Sequence, residues 1–344
     1  MDAAKTTTAI LGVGNRGSHL LGGVLRQADA SVAALCDLKP DRLDKAASAA
    51  RDNPKTYTDG RRVIDRNDIE AVFIATPPHP HAEMAVAALD GGKRVYCEKS
   101  VGINPQQVKA VLDAVRRNPS RTFTSGQQLR SIRQMSDSMR KIHSGAIGDI
   151  LMLKAQRHAV ADLAYDGSSS DWCFDATESG GYLIEQSVNN LDLCNCMMQG
   201  HPRGAVGFGA IKLHRNDPPG RTIFDCGSMV FEYPGAVQLS FTQNVFHPRS
   251  MPVGGQYVHG ISPPQSIWCR PTRCLRSRPR APQDDQSPKS QPRARTRMPS
   301  SQPGPGRIWE SISQRHSPRT RKGTVPDPLR CTKVRSPRTD EHCG

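Results

Sequence analysis

Three glycines, Gly12, Gly14 and Gly17, stand at GxGxxG spacing directly after the apolar run Thr8–Val13 and constrain this chain more than any other feature. Such a run, turning at the glycines and continuing as a helix from Ser18 to Ala28, opens a doubly wound α/β domain. Each glycine has its own reason: Gly12 permits the tight turn, Gly14 lets the main chain approach a pyrophosphate, and Gly17 lets helix and strand pack closely. Asn15 and Arg16 fill the variable positions at the helix N-terminus, where N–H donors and a partial positive charge face any bound phosphate. The next strand-like run, Ser31–Asp37, ends in an acid 20 residues past Gly17, the spacing of a ribose-binding carboxylate. Asp37 would repel a 2′-phosphate and so favours NAD over NADP, while Arg42 nearby leaves NADP open. The competing reading is a glycine turn in a domain of this kind that binds no nucleotide.

The alternation continues. Helix is expected over Pro40–Asp52, Pro80–Asp90 and Pro105–Arg117, and strand over Ala71–Ala75 and Arg94–Glu98. Strands alternating with helices imply a parallel sheet covered on both faces, with ligands at the carboxyl ends of its strands. Thr76-Pro77-Pro78, Cys97-Glu98-Lys99 and the segment around Gln127 fall at those ends. Lys99 there can hold a substrate oxygen or pass a proton. The other reading of Lys99 is a solvated loop lysine paired with Glu98.

The net charge of +15 over 344 residues is unevenly placed: residues 261–344 hold 18 of the 47 Lys and Arg but only 6 of the 32 Asp and Glu. Leu, Ile, Val and Phe number 8 in those 84 residues, too few for a core. The basic charge therefore belongs to the tail, which excludes a nucleic-acid module over the whole length. No apolar run approaches the roughly 20 residues of a membrane span. Met1 to Thr8 shows no charged-then-apolar signal pattern, so the ten cysteines are read as reduced thiols in a cytoplasmic setting. None of their spacings reads as a metal site.

At Gly12–Gly17, Asp37, Ala75-Thr76-Pro77-Pro78 with His81, and Gly92 to Glu98-Lys99, the sequence resembles the Gfo/Idh/MocA oxidoreductase family. Trp172, Ser179-Gly180-Gly181 and Leu191-Asp192 carry the resemblance on to about residue 260. It implies a Rossmann domain over 1–128 with NAD as cofactor. A substrate and oligomerisation domain follows over 129–260, α/β with an open, mostly antiparallel sheet. It also implies hydride transfer to or from a sugar- or cyclitol-like carbinol, and a homo-oligomer. Cofactor contacts are then expected from Gly12, Gly14, Asn15, Arg16, Gly17, Asp37, Thr76, Pro77, His81, Glu98 and Lys99. Lys99 also takes the position of the family lysine beside nicotinamide and substrate, and Glu185 and Asn189 join it at the reacting end.

Two departures matter. The family Glu-Lys-Pro reads Glu98-Lys99-Ser100, and the family histidine of the second domain is Asn189, with Glu185 at the preceding acid position. An amide has no proton affinity near neutral pH. General acid–base help is worth about 10²–10⁴ in rate, so catalysis is expected to be impaired unless Lys99 or Glu185 substitutes. The alternative is a non-catalytic NAD-binding or decayed member of the family.

Strands are expected over Asp149–His158, Gly204–His214, Gly227–Glu232 and Ala236–His247, with another beginning at Gly254. Beyond residue 260 neither a period of 2 nor one of 3.6 is present. Residues 261–344 are read as a disordered Arg/Pro/Ser-rich tail, with three origins weighed: a natural basic tail, a phosphorylatable Ser/Arg-type tail, or translation of a shifted frame. The last is preferred because the boundary is abrupt and falls inside a domain. The tail offers no aromatic interleaving for base stacking, so no specific nucleic-acid partner is expected.

Overall fold

The alternating apolar runs of the first half close into a six-stranded parallel sheet. In a computed structural model of the chain, residues 5–159 and 171–246 are described, with the main chain of Gly255–Gly260, Ser266–Arg270 and Arg273–Arg276. The first half runs β1 (Thr6–Leu11), α1 (Asn15–Val24), β2 (Ala30–Cys36), α2 (Pro40–Ala49), β3 (Lys55–Tyr57), α3 (Gly60–Ile64), β4 (Ala71–Ile74), α4 (His81–Asp90), β5 (Arg94–Cys97), α5 (Pro105–Arg117) and β6 (Phe123–Ser125). The order is β3-β2-β1-β4-β5-β6. The direction of winding reverses between β1 and β4, where a crevice opens outside the carboxyl ends.

The second half of β1, Ala9–Leu11, is wholly apolar because both its faces are covered. Ala9 and Leu11 pack with Val72, Ile74, Ala85 and Leu89, and Ile10 packs with Leu21, Val24, Val32 and Leu43. Local chemistry sets the helix starts. Pro40 and Pro105 stand in the first turns of α2 and α5, and the Asn104 side chain accepts from the Gln107 N–H at 2.9 Å.

The second half comprises α6 (Arg133–His143), β7 (Ile150–His158), a 3₁₀ turn (Asp171–Phe174), α7 (Ala176–Ser179), a π turn (Leu183–Ser187) running into α8 (Val188–Met198), β8 (Gly204–Ala210), β9 (Cys226–Glu232), β10 (Gln238–Asn244), β11 (Gly255–Gly260), β12 (Ser266–Arg270) and β13 (Arg273–Arg276). The sheet order is β13-β12-β11-β7-β10-β9-β8. All its pairings are antiparallel except β7 with β10. α6 and α8 cover one face, where Met135, Met139, Leu193 and Met197 meet Leu153, Ala155, Leu239 and Phe241. The other face of the sheet carries Met152 of β7, Val206 and Phe208 of β8 and Val230 of β9, all exposed.

This sheet runs past residue 260, where the second domain was expected to end. β12 pairs with β11, and β13 with β12. Main-chain bonds between strands ask for no side-chain period, so these two left no mark in the sequence pattern. The rest of 261–344, with the readings made of it, lies outside the described residues. Among the described residues no helix is long and apolar enough to cross a membrane.

Candidate functional site

The glycine turn is built as its spacing demands. Gly12 has φ +83°, and a Cβ on it would lie 2.6 Å from the Ala75 carbonyl oxygen at the end of β4. A Cβ on Gly17 would lie 1.8 Å from the Gly12 carbonyl oxygen, so the turn closes only around a hydrogen. Gly14 caps α1 without a side chain, which leaves the helix N-terminal N–H groups open to an anion. A Cβ on Gly14 would meet only the tip of Arg42, at 3.1 Å. Asn15 is exposed beside it and Arg16 half-buried. The half-buried Asp37 holds the turn against β2: Oδ2 accepts from the Val13 N–H at 2.9 Å, and Oδ1 from the Lys39 N–H at 3.0 Å. A narrow cradle, an open helix end and a carboxylate at the end of β2 are the features that a dinucleotide requires of such a turn.

The opposite rim comes from the ends of β4 and β5. Thr76 and Pro77 are half-buried there. His81, expected among the cofactor contacts, is instead an internal clasp. It is 1% exposed, with Nε2 2.8 Å from the Thr76 carbonyl oxygen and Nδ1 2.8 Å from that of Ser100. Burial holds its imidazole below the ordinary value, against the pull of both carbonyls and of Glu98. Glu98 is buried too. Its Oε1 accepts from Arg16 Nε at 2.7 Å and from the Tyr96 hydroxyl at 2.9 Å. Arg16 and Glu98, both expected to touch the cofactor, therefore also lock the glycine turn to β5. Close packing of Gly126, whose Cβ would sit 2.9 Å from the Glu98 carboxyl, completes that wall.

Lys99 leaves the end of β5 toward the second half of the chain. Its Nζ donates to Glu185 Oε1 at 2.6 Å and to the Glu185 carbonyl. Only 16% of the lysine side chain and 12% of the glutamate side chain are exposed, so this is an ion pair largely withdrawn from water. Burial pushes the Glu185 carboxyl above the ordinary carboxylate range, and nearby Glu98 adds to that; Lys99 pulls the other way. Glu185 sits in the π turn and Asn189 one turn further, at the start of α8. Single π turns occur frequently at functional sites. Glu185 Oε2, Asn189 Oδ1 and Gln127 Oε1 are buried without a hydrogen-bond partner among the described residues. Unsatisfied buried acceptors are costly, and a ligand bearing hydroxyl or amide donors relieves them.

Two partnerships here escape sequence reasoning. Ser100 donates its hydroxyl to the Ile184 carbonyl at 2.7 Å. Arg130 grips Asp192 of α8 with two bonds of 2.7 Å, joining residues 62 apart in sequence, with no local signal to announce it. Among the described residues no group of three or more His, Cys, Asp or Glu is placed to hold a metal.

Comparison with known proteins agrees with this geometry. Residues 6–126 match the family model described as an oxidoreductase family with an NAD-binding Rossmann fold, and residues 138–259 match the model of the GFO/IDH/MocA C-terminal domain. A glycosyl hydrolase family 109 protein of Stenotrophomonas maltophilia is 31% identical over 186 residues, covering 50% of this chain and 40% of that protein. An inositol 2-dehydrogenase of Salmonella typhimurium is 31% identical over 150 residues, 43% of this chain and 45% of that one. The chain thus spans about half the length of the curated relatives it matches. A myo-inositol 2-dehydrogenase structure from Lactobacillus plantarum shares the fold with TM-score 0.67 at 21% identity, over 77% of this chain and 76% of that one. With both domain models matched in order, and the glycine cradle and the Lys99 segment where those domains meet, the chain belongs to the Gfo/Idh/MocA oxidoreductase family.

Proposed function

We propose that the chain is an NAD-dependent oxidoreductase that moves a hydride between nicotinamide and a carbinol carbon of a sugar- or cyclitol-like substrate. The observation that carries this reading is the buried Lys99–Glu185 pair, with acceptor atoms left unpartnered on Glu185 and Asn189. An inositol 2-dehydrogenase among the relatives supports the substrate class. Nicotinamide, when bound, supplies the hydride acceptor. The residues do the rest. Lys99 holds the substrate oxygen; as the hydride leaves carbon, the hydroxyl proton passes to Lys99, which hands its own proton to the Glu185 carboxylate. Asn189 orients a neighbouring hydroxyl through its amide. Reduction runs the same steps backwards.

A second reading, favoured by Asn189 in the family histidine position, is a member that binds NAD and does not turn over. One experiment separates them. NADH stabilisation in thermal shift is expected for the chain under either reading, and Gly14→Asp is expected to abolish it, since its carboxylate would face the phosphates. NADH formation across a panel of cyclitols and sugars is expected only under the first. Stabilisation by NADH with no turnover on any of them would leave the second.

We also propose a homo-oligomer through the exposed face of the second sheet, since Val206, Phe208 and Val230 on the adjacent strands β8 and β9, with Met152 on the same face of β7, offer apolar surface that a second copy would cover. Sedimentation equilibrium of the full chain is expected to give a multiple of the monomer mass, reduced to the monomer by Phe208→Glu; a monomeric wild type would overturn it.

A further inference from the structure

Ser100 is tied on two sides. Its hydroxyl donates to the Ile184 carbonyl in the π turn at 2.7 Å, its own carbonyl lies 2.8 Å from His81 Nδ1, and the residue is 5% exposed. Lys99 makes the adjacent connection, to the carbonyl and carboxylate of Glu185. Two consecutive residues after β5 therefore hold two consecutive residues of the π turn. A proline, implied at position 100 by the family pattern, has no side-chain donor for this bond.

We propose that Ser100 is a positioning residue: its hydroxyl pins the π turn to the segment after β5, so that the Glu185 carboxylate meets Lys99 while Oε2 and the Asn189 amide remain for substrate. This rests on the reading that Lys99 and Glu185 carry the proton. The ion pair is short and shielded, so small displacements matter. A shift of about 1 Å at a reacting group can cost about 10²-fold in rate. Without the hydroxyl, the Ile184 carbonyl loses a buried partner and the turn relaxes to find another. The charged and titratable groups that bear on Glu185 are Lys99 and Glu98 from the first domain and Cys173 from the 3₁₀ turn. Lys99 is the one that favours the carboxylate, so withdrawing it raises the carboxyl further.

The test compares the wild-type chain with Ser100→Ala, and with Ser100→Thr as the variant that keeps the hydroxyl. Ser100→Ala is expected to lower kcat by about 10–100-fold and to leave the NADH dissociation constant within about threefold. The acid limb of kcat is expected to move to higher pH, and Ser100→Thr to recover most of both losses. If kcat and the acid limb stay in place while only the melting temperature falls, the contact is merely structural and the proposal is overturned. Ser100→Cys, of similar shape with a weaker donor, takes the place of Ser100→Ala should that variant not fold. A wild type with no turnover on any substrate defeats the proposed function instead. Ser100 is then judged by carbon-13 titration of the Glu185 carboxyl, assigned with Glu185→Gln: an upward shift in Ser100→Ala supports the positioning role, and an unmoved midpoint rejects it.

Discussion

Replacing Lys99 by methionine is expected to lower kcat by about 10²–10⁴-fold, with the NADH dissociation constant unchanged within about threefold. Methionine keeps most of the apolar stem and removes the ammonium, so the change is chiefly one of charge. Under the proposed mechanism the substrate oxygen loses its anchor and its proton path together. The pH profile carries a second signature. Glu185 acts as a base only when ionised, and its carboxyl is already held above the ordinary range by burial. Activity is therefore lost as pH falls through a value higher than that of a free carboxylate. Lys99 is the group that lowers it. Its removal leaves a buried carboxylate without a partner, a situation met by protonation, so whatever activity survives should show an acid limb displaced to higher pH. Steady-state kinetics from pH 5 to 9 would measure both effects. A kcat within tenfold of wild type, on an unmoved profile, would place the proton path elsewhere.

Gly17→Ala is expected to destabilise the first domain by about 3 kcal/mol or more, the upper end of the cost of overpacking. The added methyl would stand 1.8 Å from the Gly12 carbonyl oxygen, and the obstacle is main chain, which cannot rotate aside. Only a displacement of α1 from β1 relieves it, at the expense of the contacts of Leu21 and Val24 with Ile10 and Val32. Gly14→Ala is the control, because its methyl meets only the end of the Arg42 side chain; a cost below about 1 kcal/mol is expected. Urea unfolding followed by circular dichroism compares the two. Equal midpoints would mean that the turn does not close as described.

The contrast between these glycines shows what a sequence can disclose. Gly12, Gly14, Gly17 and Asp37 act within one strand–turn–helix unit and its neighbour, where spacing translates directly into geometry. The buried strands β1, β2, β4 and β5 were legible for a related reason: where a strand is covered on both faces, as at Ala9–Leu11 and Val72–Ile74, its residues run apolar without alternation. β3, three residues long with an exposed, polar start, and α3, five residues long, were not, because elements that short are settled by their neighbours. The candidate site was legible as a set of residues and not as a set of contacts. Lys99, Glu185 and Asn189 could be named, yet the join of Lys99 to Glu185 crosses 86 positions. Glu98 and His81 could also be named, but their bonds to Arg16 and to the Thr76 and Ser100 carbonyls turn them into the frame of the crevice. The π turn had no legible mark, since Leu183-Ile184-Glu185-Gln186-Ser187 carries no pattern that distinguishes it from an ordinary helical turn.

The single parallel pairing of the second sheet has a consequence for how the two halves of the crevice come into being. β7 and β10 lie side by side with Met152 opposite Gln238 and His158 opposite Asn244, and the whole excursion carrying Glu185 and Asn189 is threaded between them. That adjacency demands closure of a long loop before any contact rewards it, and so does the pairing of β1 with β4 in the first sheet, where Thr8 stands opposite Ala71. The nucleotide cradle, whose Arg16 reaches Glu98 across 82 positions, and the proton-handling face thus both rest on long-range structure. Neither half of the crevice is complete until such a loop has closed.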